Sequence, residues 1–325
     1  MKKKNRVGNW LIEMQLSKSL VIILFMSLFC NFASGAEFYK SKKETSSGGG
    51  CSQSILIKGD IEKGDFQKFK KAIQEIKQSN CYISSVHLIS NGGDVLEAIA
   101  IGSEIRKNLI TTWAPWDQHF SDGGEGPPSC GVTSSIIFDF NSKRWKMEPP
   151  QDYPCDCNSA CFLIWAAGVM RTGSSLGLHR PYFSKEYYQG LSAAEAEEKY
   201  KQLSSLVRTY LSSMDIPNDI IDEMFSHSSE DIYYLYMRGK EGSIEQNIKG
   251  LTHAPFFEEL LIAKCSPLTD EELKAHQDLI MKFELTAMFE LTAIEKHALQ
   301  SLKEKYDKYS KCHSGIKREA QLSNK

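Results

Sequence analysis

The chain has 325 residues, 41% of them hydrophobic, enough to bury a sizeable core in one large domain or two modest ones. Its net charge is −2, and beyond the amino terminus its lysines and arginines are dispersed. That balance gives no case for binding nucleic acid or an anionic membrane surface.

At the amino terminus Lys2, Lys3, Lys4 and Arg6 precede an apolar run from Leu20 to Phe29, and Ala33-Ser34-Gly35-Ala36 offers small residues for cleavage. Residues 1–36 read as a signal peptide, or as an anchor if left uncleaved, although the apolar run is short for a full span. Initiation at Met14 would leave a tidier signal, with Lys18 as its charge. Cys30 follows Leu28-Phe29 rather than small residues, which argues against a lipoprotein site. Residues 37–50, which end in Ser46-Ser47-Gly48-Gly49-Gly50, read as a flexible linker.

Ser54-Ile55-Leu56-Ile57-Lys58-Gly59 predicts a strand stopped by glycine, and Phe66, Phe69, Ile73 and Ile76 form the apolar stripe of a helix. Residues 85–89 predict a second strand running into Asn91-Gly92-Gly93, and 95–105 a second helix. Alternating strands and helices predict right-handed β-α units and a parallel sheet. A Pro- and Gly-rich insertion follows at about 114–155, with 134–140 as one strand of a small hairpin. It reads either as a lid over a site or as a surface loop pinned by a disulfide.

Next comes Cys157-Asn158-Ser159-Ala160-Cys161, leading into Phe162-Leu163-Ile164-Trp165-Ala166-Ala167-Gly168. A serine among small residues thus opens a buried helix. Leu176-Gly177-Leu178-His179-Arg180-Pro181 then predicts a short strand ending in histidine. Residues 184–213 are polar and helical, and Pro217 starts a further helix. Thr269-Asp270-Glu271-Glu272 is a capping box opening a helical tail. The tail repeats Phe283-Glu284-Leu285-Thr286-Ala287 as Phe289-Glu290-Leu291-Thr292-Ala293, and reads as a helical hairpin suited to self-association.

Nine cysteines less Cys30 leave eight: Cys51, Cys81, Cys130, Cys155, Cys157, Cys161, Cys265 and Cys312. An even number in an exported chain points to disulfides. Cys265 with Cys312 is the most natural pair, because they bracket one helical segment; the other pairings stay open. Zinc is the rival for Cys155, Cys157 and Cys161, disfavoured because there is no CxxC pair and no second cluster with ligand spacing.

Serine, histidine and free backbone amides at a Gly-Gly turn are the parts of a serine hydrolase. Their order here is Gly-Gly, Ser, His, which differs from the chymotrypsin, subtilisin and α/β-hydrolase orders. Ser90-Asn91-Gly92-Gly93-Asp94-Val95, with Ala98-Ile99-Ala100-Ile101-Gly102 behind it, resembles the oxyanion turn and helix of the periplasmic, ClpP-like branch of the ClpP/crotonase superfamily. The segment from Cys157 to Gly168 is similar to that family's nucleophile segment, and Gly177 to Pro181 to its histidine strand. The resemblance spans roughly 55–238.

The resemblance implies an α/β fold, a superhelix of β-β-α units over 51–250, with a helical C-terminal extension over 251–325. It implies Ser159 as nucleophile, His179 as general base and Asp231 as the acid that orients it, with Gly92, Gly93 and Ala160 at the oxyanion hole. Asp219, Asp222 and Glu230 rival Asp231, while His87, His227 and His253 have no comparable setting. A helix-capping serine and a structural histidine are the plain alternatives for Ser159 and His179. The chain departs from the family in having Asn91 before the two glycines instead of proline, in its insertion, and in a shorter Ser-to-His gap.

The function expected is that of an exported serine hydrolase, a peptidase in the periplasm or secreted, acting on peptides or unfolded protein. No cofactor, metal or nucleotide is implied. A homo-oligomer is expected, and no ATPase partner, since the chain has no P-loop and an exported protein has no ATP supply. The alternatives are a catalytically inactive ClpP-like scaffold or peptide-binding module, and a crotonase-type acyl-CoA enzyme. The last is disfavoured because CoA is scarce outside the cytosol.

Overall fold

Strand β3 (Cys51–Lys58) carries Ile55-Leu56-Ile57 buried on both faces, the pattern of a strand inside a parallel sheet covered on two sides. The computed structural model to which it belongs describes residues 35–45, 50–115, 136–139, 144–147, 156–173, 176–183, 185–235, 251–285 and 292–323. The leader up to residue 34, Cys130, Cys155, any lid role of the insertion and the join of the tandem repeat lie outside the described residues.

β3 pairs in parallel with β4 (Cys81–Ile89), β4 with β5 (Thr111–Trp113), and β5 with β9 (Arg171–Thr172). Helix α1 (Asp65–Gln78) connects β3 to β4, and α2 (Val95–Lys107) connects β4 to β5, as the alternation predicts. The helices bury Phe69, Ala72, Ile73 and Ile76, and Ala98, Ile101 and Ile105, in one core with the strand residues Ile55, Ile57, Ile83, Val86 and Leu88. Asp94 caps α2, its carboxylate accepting from the Leu96 amide at 2.8 Å and the Glu97 amide at 3.0 Å.

The described part of the predicted linker, 37–45, is tied to the sheet. Glu37–Lys40 forms β1, antiparallel to β3 with Phe38 opposite Ile57, and Glu44–Thr45 forms β2, also on β3. Phe38 lies 6.2 Å from the Phe69 ring, so an apolar side chain in a polar stretch decides that this segment closes the sheet edge. Residues 46–49 lie outside the described residues.

A second sheet holds β8 (Cys157–Asn158), β10 (Leu176–Leu178) and β11 (Tyr233–Leu235) in the order β11-β10-β8. The turn after β4 reaches it through a bridge from Ser90 to Cys157. From β8 the chain enters α3 (Ala160–Ala166), in which every residue is buried, as befits a helix apolar all round. The predicted hairpin in the insertion is present as β6 (Ile136–Asp139) against β7 (Arg144–Met147).

Helices α4 (Ala193–Ser213) and α5 (Asn218–Ser226) follow, then α6 (Pro255–Cys265), α7 (Asp270–Leu285) and α8 (Ala293–Leu322). Two arginines collect helix ends: Arg106 donates to the Ala167 and Met214 carbonyls, both at 2.9 Å, and Arg171 to the Gly168 carbonyl at 2.9 Å. The tail is part of the same compact unit, Ala36–Lys325. At the end of α8 the Gln321 amide substitutes for a neighbouring strand: its oxygen accepts from the Ile83 amide at 2.6 Å, and its nitrogen donates to the Ile83 and Asn108 carbonyls, both at 2.9 Å.

Three disulfides join described residues: Cys51 to Cys81, Cys157 to Cys161 and Cys265 to Cys312. The first links register partners of β3 and β4. The second leaves neither Cys157 nor Cys161 as a thiolate for zinc.

Candidate active site

Ser159 occupies the single residue between β8 and α3 and has φ 57° and ψ −121°. Such a backbone is costly for any residue with a Cβ, by about 1–3 kcal/mol, and persists only where the surroundings over-determine it. Here they do. The Ser159 amide donates to the Gly177 carbonyl at 2.8 Å, its carbonyl accepts from the Phe162 amide at 3.0 Å, and the Asn158 amide donates to the Ser90 carbonyl at 2.9 Å. A serine acting only as a helix cap takes an ordinary extended backbone and bonds an amide of the first turn; Ser159 makes no such side-chain bond.

The Gly-Gly turn packs directly on it. A methyl group at Gly92 would stand 2.6 Å from Ser159 Cβ, and one at Gly93 2.1 Å from the Ile61 carbonyl oxygen, with φ of 113° and 128°. Only glycine allows both the backbone and the approach. The two amides differ in use. That of Gly92, expected among the oxyanion donors, donates to Ser90 Oγ at 3.1 Å. Ile61 bonds the Gly92 carbonyl and the Asp94 amide, so Gly93 keeps its own amide out of that bridge. The Ala160 amide opens α3 and has no acceptor within the helix.

Ser159, Gly93 and His179 line one cleft of about 630 Å³. Tyr182, Phe183 and Tyr187 form an aromatic wall, Phe183 and Tyr187 stacked at 3.9 Å, with Val95 and Leu96 adding apolar surface. His179 is buried, and its Nδ1 lies 3.0 Å from the Arg180 carbonyl oxygen. A carbonyl only accepts, so this contact selects the tautomer of the neutral ring that has its proton on Nδ1 and its lone pair on Nε2. Among the described residues no hydrogen bond joins His179 to Ser159; such bonds are often long before substrate binds.

Among the described residues no hydrogen bond joins Asp231 to His179. The Asp231 side chain is 74% exposed and bonds His227 Nδ1 at 3.4 Å, while His227 Nε2 bonds Glu223 at 3.0 Å. Glu223 first, and Asp231 more weakly, hold His227 above the usual imidazole range. The reason is local: the Asp231 amide bonds the Ser228 carbonyl, a turn that aims the carboxylate back along its own segment. The His179 ring is instead bonded by the Arg180 main chain, for which a sequence carries no signal. The aromatic wall and Ser90 were also missed; the cluster of Tyr182, Phe183, Tyr187 and Tyr188 just after His179 was the available hint.

No protein-family model matches the chain, and no curated protein matches it. Among solved structures it is similar to a serine-to-alanine mutant of a 1510-N membrane-bound stomatin-specific protease, with 18% identity over 65% of this chain and 83% of that one, at a TM-score of 0.36. At that identity and score the likeness decides nothing about activity.

Proposed function

We propose that the protein is an exported, ClpP-like serine hydrolase, built of wound β-β-α units and acting as a peptidase with a Ser159–His179 dyad. The observation that carries this reading is the backbone of Ser159: a serine held at φ 57° between strand and helix, against Gly92, on a cleft it shares with His179. His179 Nε2 takes the proton of Ser159 Oγ as the oxygen adds to the substrate carbonyl. The Gly93 and Ala160 amides receive the oxyanion. His179 returns the proton to the departing amine, and water then resolves the acyl-enzyme by the same route. Short or unfolded peptides enter the cleft without an ATPase.

Labelling with a fluorophosphonate probe, in which Oγ displaces fluoride from phosphorus, tests the reading. Wild-type protein is expected to label at Ser159, and Ser159→Ala and His179→Ala to lose the label. A folded wild type that never labels overturns it and favours the scaffold.

Export is supported by the three disulfides, which suit an oxidising compartment. Among the described residues no helix is long and apolar enough to cross a membrane. Cleavage between Gly35 and Ala36 suits the fold better than removal of residues 1–36. Ala36 is buried, and its nitrogen lies 2.9 Å from the fully buried carboxylate of Asp65, where a freed ammonium would form an ion pair. The intact mass of the exported protein is expected to begin at Ala36; a chain beginning at Glu37 overturns this assignment.

A further inference from the structure

We propose that the Cys157–Cys161 disulfide is the positioning device for Ser159, so that the oxidised chain holds the hydroxyl in its reactive place and the dithiol chain does not. The inference rests on Ser159 being the nucleophile. The bridge brings the two Cα atoms to 5.1 Å across a sequence separation of 4, with Ser159 midway. An extended run of that separation would hold its ends roughly 13 Å apart, so the chain must reverse inside the ring. The reversal falls on Ser159, at φ 57° and ψ −121°.

The non-covalent restraints on Ser159 itself, its amide on the Gly177 carbonyl at 2.8 Å and Gly92 against its Cβ, do not link the strand before it to the helix after it. β8 is two residues long and is held by Leu176 opposite Cys157 and Gly177 opposite Asn158. The hydrogen bond from the Phe162 amide to the Ser159 carbonyl belongs to the start of α3. The disulfide is the covalent tie from the strand, before Ser159, to the helix, after it. Reduction replaces that bond by a van der Waals contact between two sulfurs. In a close-packed interior the sulfurs must then move apart. Cys157 and Cys161 are both fully buried within the main core, so the displacement is transmitted to the turn rather than relaxed into solvent.

The same burial shields the bridge from thiols once the protein has folded, which makes it a structural clamp rather than a reactive group. It forms when the two thiols give up two protons and two electrons to a disulfide-bearing oxidant, which is itself reduced to a dithiol. A chain that has not met such an oxidant keeps Ser159 out of register, and the hydrolase stays silent until it is exported.

The test uses the full oxidised chain and a concentration series of the fluorophosphonate probe, separating the maximal labelling rate from the half-saturating concentration. Cys157→Ala/Cys161→Ala is expected to lower the maximal rate by about tenfold to a hundredfold, the scale of a misplaced reacting atom. The half-saturating concentration and the near-UV circular dichroism are expected to hold. Cys265→Ala/Cys312→Ala, which removes a distant bridge, is expected to keep the wild-type rate. A folded Cys157→Ala/Cys161→Ala variant labelling at the wild-type rate overturns the inference and leaves the hydrolase reading intact.

A second measurement covers failure of that variant to fold. Wild-type protein reduced in denaturant is refolded over a graded amount of a disulfide oxidant, labelled, quenched in denaturant with an alkylating agent, and cut before Asp156 and after Arg171. One peptide carries Ser159 and both cysteines, so a single mass reads label and redox state on the same molecule. Label concentrated on the disulfide form, and regained on reoxidation, supports the clamp; equal label on both forms overturns it. An oxidised, folded wild type with no label at all overturns the hydrolase reading and the clamp together.

Discussion

At the scale of residues, Ser159 separates two roles that small-residue serines share. A cap needs an extended backbone and a side-chain bond to an amide, and Ser159 has neither. His179 is oriented by the Arg180 carbonyl at 3.0 Å, and Asp231 by His227 at 3.4 Å. These partnerships predict the response to removing the acid. A triad aspartate costs about 10⁴ in rate when replaced by asparagine. Asp231→Asn is instead expected to keep the labelling rate within about threefold, because no charge is removed from contact with the imidazole. A loss of several hundredfold would return Asp231 to the site.

At the scale of elements, α8 shows what a buried cation does to a fold. Lys317 is wholly buried, its amine donating to Thr111 Oγ1 at 2.5 Å, and burial pushes it down from 10.5 to about 7. His313, one turn away, is pushed to about 4, by burial first and then by Lys317, and stays neutral above that. Below pH 7 the amine is protonated in both folded and unfolded chains, and the fold bears the full cost of a buried charge. Between pH 7 and 10.5 the unfolded chain alone holds the proton, so rising pH stabilises the fold, by up to about 1.4 kcal/mol per pH unit. Lys317→Met removes the titration at the expense of the Thr111 hydrogen bond, about 1 kcal/mol. In urea unfolding, its stability relative to wild type is expected to be most favourable at pH 6–7 and to fall by roughly 2 kcal/mol at pH 9. A difference that does not change with pH would show that Lys317 titrates normally.

At the scale of the whole molecule, the helical tail is structural. Gln321 satisfies both backbone groups of Ile83, and Cys312 ties α8 to the end of α6 through Cys265. Phe257 and Leu261 of α6 are buried beside Tyr309 and Ile316 of α8 in a second core cluster. Removing 293–325 would uncover that cluster and leave the Ile83 amide and carbonyl unpaired in the interior, each at about 1–3 kcal/mol. A chain ending at Thr292 is therefore expected to lose cooperative unfolding and to be recovered insoluble. A soluble truncated protein with a single sharp thermal transition would make the tail an appendage for assembly, as the sequence alone suggests.

What the sequence determined by itself is what depends on near neighbours in the chain. The apolar stripe of Phe69, Ile73 and Ile76, the glycines that end strands, the capping box at Thr269 and the bracketing of a helical segment by Cys265 and Cys312 are all local patterns, and each has its structural counterpart. Ser159 was legible from the small residues that open a buried helix, His179 from the short strand it ends and the pair from the resemblance that joins them, while the cleft they share follows from the pairing of β8 with β10. Tertiary structure alone decided the rest. Phe38 finds Phe69 only once α1 lies across the sheet, which turns a polar linker into an edge strand. Gly92 yields its amide to Ser90 and leaves Gly93 to face the cleft, and the His179 ring is bonded by a main-chain carbonyl rather than by Asp231. Backbone donors and acceptors are the same in every residue. Which of them remain unpaired is settled only when distant strands meet.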